Sequence, residues 1–315
     1  MNRILVIRGG AIGDFILTLP ALRALREAYP KAHVEILGYK HIVALAENRF
    51  YTQATRSIEY GLLSSFFGKS SELPDELVNY FGGFDLIVSY LYDPDHIFET
   101  NLRRCGVEDL IIGPGKLERA GHAARQLSRP LEQLGIFITD FAAQIFPSAQ
   151  DRQFAREFLR QVSRPIVAIH PGSGSERKNW PLKNWVEFGE HLLASDNCSL
   201  LIVSGEADEA QVAQLQSLGK NERVVFAKDL PLPHLAGVLE QTVFVGHDSG
   251  ISHLAAAAGA NCILLFGPTD PKIWAPQNEN VCVIQGANNN VENVATRDVQ
   301  EAVAAALRAA RRAIG

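Results

Sequence analysis

Four short stretches of this chain combine glycine, hydroxyl and charged residues in the way an anion-binding turn requires. The first is Gly9-Gly10-Ala11-Ile12-Gly13-Asp14. Glycines permit a sharp turn and a close approach by a ligand, and the acid after them stands at the start of a helix. Asp14 therefore has two readings: a cap and dipole partner of that helix, or a carboxylate offered to a bound molecule. The second stretch is His170-Pro171-Gly172-Ser173-Gly174-Ser175-Glu176-Arg177-Lys178-Asn179-Trp180-Pro181. Around Ser173 and Gly174 the backbone N–H groups are open to phosphate oxygens, and Lys178 adds a point charge. The ending of a Walker A loop is absent, and a plain solvated loop is the competing reading. In the third stretch, Ser204-Gly205-Glu206, the Glu206 carboxylate can accept two hydrogen bonds from a ribose or serve as a helix N-terminal acid. The fourth is Gly246-His247-Asp248-Ser249-Gly250-Ile251-Ser252-His253. Ser249 and Gly250 open a helix of small residues, whose free N–H groups and positive dipole end suit a diphosphate; an N-cap without a ligand fits equally.

These stretches matter because of what precedes and follows them. Short apolar runs alternate with amphipathic segments, the pattern of an α/β chain with parallel sheets. Strands are expected at residues 4–7, 34–37, 85–89 and 111–112, then at 166–169, 200–203, 224–226, 243–245 and 262–266. A helix after Gly13 has Leu22, Leu25 and Tyr29 on one face, with Pro20 as a kink or the start of its straight part. Trp185, Phe188 and Leu192 mark another helix, as do Val212 and Leu215. Residues 51–80 show no readable element. Open parallel sheets bind ligands at the carboxyl ends of their strands, where all four stretches fall. The expected fold is two doubly wound domains, with a hinge near residues 151–165 and a closing Ala/Arg-rich helix over about 298–312.

Composition narrows the function. A chain of 315 residues with 47% hydrophobic and 21% charged residues is globular, and a net charge of -5 argues against general nucleic-acid binding. Cys105, Cys198, Cys262 and Cys282 form no close pair, which disfavours zinc; Cys198 and Cys262 sit in or beside apolar strands as buried thiols do. No signal-peptide core and no membrane-length apolar run is seen, so a cytoplasmic protein is expected, at most touching a membrane surface. A dinucleotide fingerprint fails because Arg8 occupies the first glycine position, although Glu35 lies at about the spacing of a ribose-binding acid. Asp93-Pro94-Asp95 spells a D-x-D, but Pro94 reads as an ordinary turn, and no metal site is expected.

The same residues carry a resemblance. Gly13-Asp14 with Leu17-Thr18-Leu19-Pro20-Ala21-Leu22, then His170-Pro171-Gly172 with Lys178-Asn179-Trp180-Pro181, resembles the ADP-heptose:lipopolysaccharide heptosyltransferase family. So does Asp248-Ser249-Gly250 with His253-Leu254-Ala255-Ala256-Ala257 and Phe266-Gly267-Pro268-Thr269-Asp270-Pro271. The resemblance implies a GT-B architecture: two Rossmann-like doubly wound domains with a cleft between them. Residues 1–160 would bind the acceptor, residues 161–297 the nucleotide sugar, and the helix of 298–315 would pack back on the first domain. It further implies an inverting, metal-independent transfer from an ADP-sugar to a lipopolysaccharide core, with no cofactor and with possible contact at the inner membrane surface. Asp14 would be the general base. Ser173, Gly174, Lys178, Glu206, Asp248, Ser249, Gly250 and His253 would hold the donor. Gly13, Arg103 and Arg104 would lie toward an anionic acceptor, with Arg56, Arg119 and Arg125 as further basic candidates. Two departures stand out: His247 occupies a position where relatives carry asparagine, and Ser89-Tyr90-Leu91-Tyr92-Asp93 replaces an Asp-Leu-Gln segment. Other readings left open are a nucleotide-sugar epimerase of the same fold and a non-catalytic binder.

Overall fold

In a computed structural model, which describes residues 1–69, 71–195, 198–205 and 209–314, the chain forms two compact units, Met1–Phe141 and Ala142–Gly315. The first is built on β1 (Arg3–Arg8), where Ile4 to Ile7 are buried side by side. Consecutive apolar residues suit only a strand covered on both faces, as in the middle of a parallel sheet. Around it come α1 (Ile12–Ala28), β2 (His33–Gly38), α2 (Lys40–Val43), β3 (Ala54–Ser57), α3 (Asp75–Gly82), β4 (Leu86–Ser89), α4 (Ile97–Arg104), β5 (Leu110–Ile112) and α5 (Ala123–Ser128). The five strands are all parallel, in the order β3-β2-β1-β4-β5.

The second unit contains α6 (Ala149–Phe158), β6 (Ile166–Ile169), α7 (Leu182–Ser195), β7 (Ser199–Ser204), α8 (Glu209–Gln214), β8 (Val224–Lys228) and α9 (Leu232–Leu239). It continues with β9 (Val243–His247), α10 (Gly250–Ala258), β10 (Asn261–Phe266), α11 (Pro271–Trp274), β11 (Val281–Gln285) and α12 (Thr296–Ile314). Its six parallel strands run β11-β10-β9-β6-β7-β8. Each sheet thus grows outward in one direction from its first strand, then reverses. The reversal falls between β1 and β4 in the first unit and between β6 and β9 in the second, where a doubly wound sheet leaves a crevice.

The expected strands are all present, and the Trp185, Phe188 and Leu192 stripe is buried against β6 and β7. Several features differ. Residues 51–80, which showed no element, contain β3, a 3-10 helix at Gly61–Phe67 and α3. β3 is an edge strand with half-buried Thr55, Arg56 and Ser57, so it has no apolar run to announce it. The other missed strand, β11, is likewise an edge with Cys282 and Val283 exposed. α1 runs on through Pro20, which lies in the body of the helix rather than at its start. The boundary expected at residue 160 lies inside the second unit, because α6 packs on α9 of that unit. The closing helix begins at Thr296. Its Val299, Val303 and Leu307 join the second unit's own core, beside Trp185 and Ile263.

That packing is testable. Leu307→Ala should cost about 2–5 kcal/mol, the usual range for emptying a buried leucine site. Urea unfolding followed by circular dichroism should show an earlier midpoint for the second unit, and an unchanged midpoint would contradict the placement of α12.

Candidate functional site

The crevice of the second sheet is closed at its base by a main-chain bond, His170 N–H to the Val245 carbonyl at 3.0 Å. Beyond it the chain leaves β6 and β9 in two neighbouring loops. The loop after β6 contains a single turn of 3-10 helix, Glu176–Lys178, which turns Lys178 back toward β9. There its Nζ donates to Asp248 Oδ2 at 2.8 Å and approaches the Asp248 carbonyl at 3.4 Å. An ammonium has three hydrogens, so one remains for a ligand after both contacts are made. Ser173 is tied into the same loop, 2.8 Å from the Ser175 carbonyl and 2.7 Å from the Asn179 side-chain amide. Gly174 beside it is exposed, with open space where a side chain would be.

Directly after Asp248, Ser249 caps α10 by accepting the Ser252 amide on its hydroxyl at 3.3 Å. The cap reading of this motif is therefore realised. It leaves the rest of the first turn, with its outward N–H groups and positive dipole end, beside the Lys178–Asp248 pair. His253 is buried one turn further along. A cavity of about 370 Å³ opens at the ends of β7 and β8, lined by Ser204, Val212, Ala213, Gln216, Phe226 and Lys228. Glu206 lies outside the described residues.

In the first unit the turn after β1 is organised around Asp14. Its Oδ2 accepts the Ala11 amide at 2.9 Å, so it caps α1 as one of its two readings required. Its Oδ1 lies 3.6 Å from Arg8 Nη2, and the side chain is still 37% exposed. Gly10 makes room for it: the residue has φ +94°, and a Cβ there would stand 2.7 Å from Asp14 Oδ2. Gly13 occupies the first turn of α1 beside it.

Against this geometry, the family model for glycosyltransferase family 9 (heptosyltransferase) matches residues 122–304, more than half the chain. The chain belongs to glycosyltransferase family 9. Lipopolysaccharide heptosyltransferase 3 of Escherichia coli (strain K12) is 25% identical over 317 residues, covering 90% of this chain and 88% of that one. Among solved structures, a family 9 glycosyl transferase from Veillonella parvula superposes with a TM-score of 0.80 at 20% identity, covering 98% of both chains. The E. coli ADP-heptose LPS heptosyltransferase II gives 0.79 at 16% identity, covering 98% of this chain and 99% of the other. The two doubly wound sheets are the pair of Rossmann-like domains of a GT-B protein.

The turn after β1 is also held by Arg8, whose role the sequence did not show. Arg8, only 6% exposed, donates from Nε to Thr18 Oγ1 at 2.9 Å and from Nη2 to the Asp14 carbonyl at 3.1 Å. Burial pulls its guanidinium below the ordinary value, while Asp14 and then Tyr90 oppose that shift. Tyr90 lies under it, with ring and guanidinium 5.9 Å apart, and its hydroxyl donates to the Leu127 carbonyl at 2.9 Å. Burial raises the Tyr90 phenol well above its usual range. Tyr90 thus supports the Arg8 side chain that holds the Asp14 turn. The available signal was a charged residue closing a run of four buried apolar ones.

Other candidates fall elsewhere. Arg103 donates to the carbonyls of Val107, Glu108 and Leu110, holding the turn that enters β5. That is the amino edge of the first sheet, whereas Asp14 follows its carboxyl edge. Arg104 bonds to the Ser71 carbonyl and the Asn101 side chain, and lines a separate cavity of about 480 Å³ with Lys69, Asp95 and His96. Arg56 pairs with Glu76. Glu35 sits within β2, short of its end, and accepts the Tyr80 hydroxyl at 2.6 Å, so it is no ribose-binding acid at a strand end. Both oxygens of Asp93 accept main-chain amides, those of Ile97 and Glu99, so this carboxylate works as the cap of α4. Among the described residues no three His, Cys, Asp or Glu side chains are grouped as metal ligands.

Gly10→Ala should destabilise the chain by about 1–2 kcal/mol, the cost of a left-handed backbone for a residue with a Cβ. The urea midpoint measures this directly; an unshifted midpoint would mean that the turn around Asp14 is not built as described.

Proposed function

We propose that the chain transfers a heptose, or a closely related sugar, from an ADP-sugar to a lipopolysaccharide core acceptor with inversion at the anomeric carbon. The observation that carries this reading is the Lys178–Asp248 pair at the reversal point of the second sheet, next to the start of α10. A nucleoside diphosphate placed there would meet positive charge where its own negative charge grows as it departs. Ser173 and the Gly174 backbone would border the same diphosphate. The cavity beside Ser204, where β7 ends, is the place for the nucleoside, with Glu206 following in sequence as the group for its ribose.

In the reaction, the acceptor hydroxyl gives its proton to the Asp14 carboxylate as its oxygen bonds to the anomeric carbon. The bond from that carbon to the diphosphate breaks, and ADP leaves with the electron pair. Carboxylates are weak bases at neutral pH, so positioning and leaving-group stabilisation supply most of the rate. Arg8 fixes the Asp14 main chain and stands beside its carboxylate, which makes Asp14 a held group and not a mobile one. Lysine, serine and the helix start act on the leaving group in this scheme without an added metal. A lipopolysaccharide core is lipid-anchored, so the enzyme would work on the cytoplasmic side against a membrane surface.

Transfer from ADP-heptose to a heptose-deficient lipopolysaccharide core tests the reading. Asp14→Ala should lower kcat by at least about 100-fold, the usual contribution of a general base, while leaving ADP affinity near the native value. Equal turnover by native and variant protein would remove Asp14 from the mechanism. An active native protein that uses UDP- or GDP-sugars instead would keep the transferase and discard the ADP-sugar donor.

A further inference from the structure

One imidazole ties together both ends of the loop that carries Lys178. His247 ends β9 and is wholly buried. The Trp180 amide donates to its Nε2 at 2.8 Å, and its Nδ1 lies 3.4 Å from the Gly172 carbonyl. A main-chain N–H can only donate and a carbonyl can only accept. Both contacts therefore require the same ring, neutral, bare at Nε2 and protonated at Nδ1. Between the two anchor points lie Ser173, Gly174 and Lys178. The residue after His247 is Asp248, which takes the Lys178 ammonium. Two consecutive residues thus grip one loop, His247 by its main chain and Asp248 by its lysine.

The ring is itself held in place. Trp185 meets it edge to face at 5.4 Å, and the Ser252 hydroxyl donates to the His247 carbonyl. Trp180 is fixed from its other side by its indole N–H, which donates to the Val294 carbonyl at 3.0 Å. The loop end at residue 180 is therefore clamped between β9 and the segment leading into α12.

We propose that His247 is a positioning residue for the donor site, a crossbar that sets the separation of residues 172 and 180 and so the place of Lys178. The proposal rests on the reading of this loop as the diphosphate-binding element. His247 acts through the backbone and need not touch the ligand. Phenylalanine would fill the same space but leave the buried Trp180 N–H and Gly172 carbonyl without their ring partners. Glutamine would keep an acceptor within reach of Trp180.

Two measurements on the full-length protein decide it. Nitrogen-15 spectra of histidine-labelled protein, with the His247 signals assigned by their loss in His247→Gln, should show the proton on Nδ1. A proton on Nε2 overturns the proposal, whatever the protein binds. Calorimetric titration with ADP should show His247→Phe binding about tenfold more weakly than native, as expected when a buried donor loses its acceptor, with His247→Gln within about threefold of native. If His247→Phe does not fold, His247→Leu replaces it, since it too offers the Trp180 N–H no acceptor, and should show the same loss. Lower unfolding temperatures without any separation of these affinities would reduce His247 to a packing residue and overturn the proposal. Native protein that binds no ADP would defeat the donor reading, while the ring signal would still decide the crossbar.

Discussion

Lys178 can reach Asp248 only because β6 and β9 lie side by side, although more than seventy residues of sequence separate the ends of those strands. That adjacency is the reversal of strand order in the second sheet. It forces the two following loops to diverge from a common edge, and it leaves polar main chain there that no neighbouring strand can pair. The chain meets this constraint with a bond from His170 to Val245, a capped helix start at Ser249 and an ion pair between the loops. The pair has one partly exposed member and one nearly buried member, so it is neither a freely screened surface contact nor a fully desolvated one. Its value lies in placing a positive charge beside the start of a helix.

The first sheet meets the same constraint with different groups. Its crevice lies between β1 and β4, and the turn leaving β1 is filled by Arg8, which spans Thr18, the Asp14 carbonyl and the Tyr90 carbonyl. A buried guanidinium is costly unless its hydrogens are used, and this one has several acceptors. One result is a carboxylate with one oxygen bound to a backbone amide and the other near a cation, on a side chain that still reaches solvent. Capping and chemistry are compatible uses of the same residue.

Much of this was legible in the sequence because buried parallel strands need unbroken apolar runs, and Ile4 to Ile7, Ile166 to Ile169 and Leu200 to Val203 supply them. The site motifs were legible for a related reason: they sit where those runs stop. What stayed hidden was carried by residues whose partners are distant in sequence. Arg8 looked only like a failed glycine, because its acceptors come from α1 and from the segment after β4. His247 looked like a substitution, and its two contacts are with residues 172 and 180. Edge strand β3 was missed because Ala54 to Ser57 holds no apolar run, whereas β11 has one in Val281 to Ile284 that was passed over. A basic residue gives no sign in the sequence of which sheet edge it will reach, and Arg103 holds the turn that enters β5.

The crevice of the second sheet is proposed to bind an adenosine diphosphate group through Lys178. Calorimetric titration of the native protein and of Lys178→Ala with ADP, UDP, GDP and NAD⁺ tests it most directly. Selective binding of ADP is expected, with loss of a charged hydrogen bond weakening the variant by about tenfold or more. Selective binding of NAD⁺, or ADP binding that is equal in native and variant protein, would contradict it.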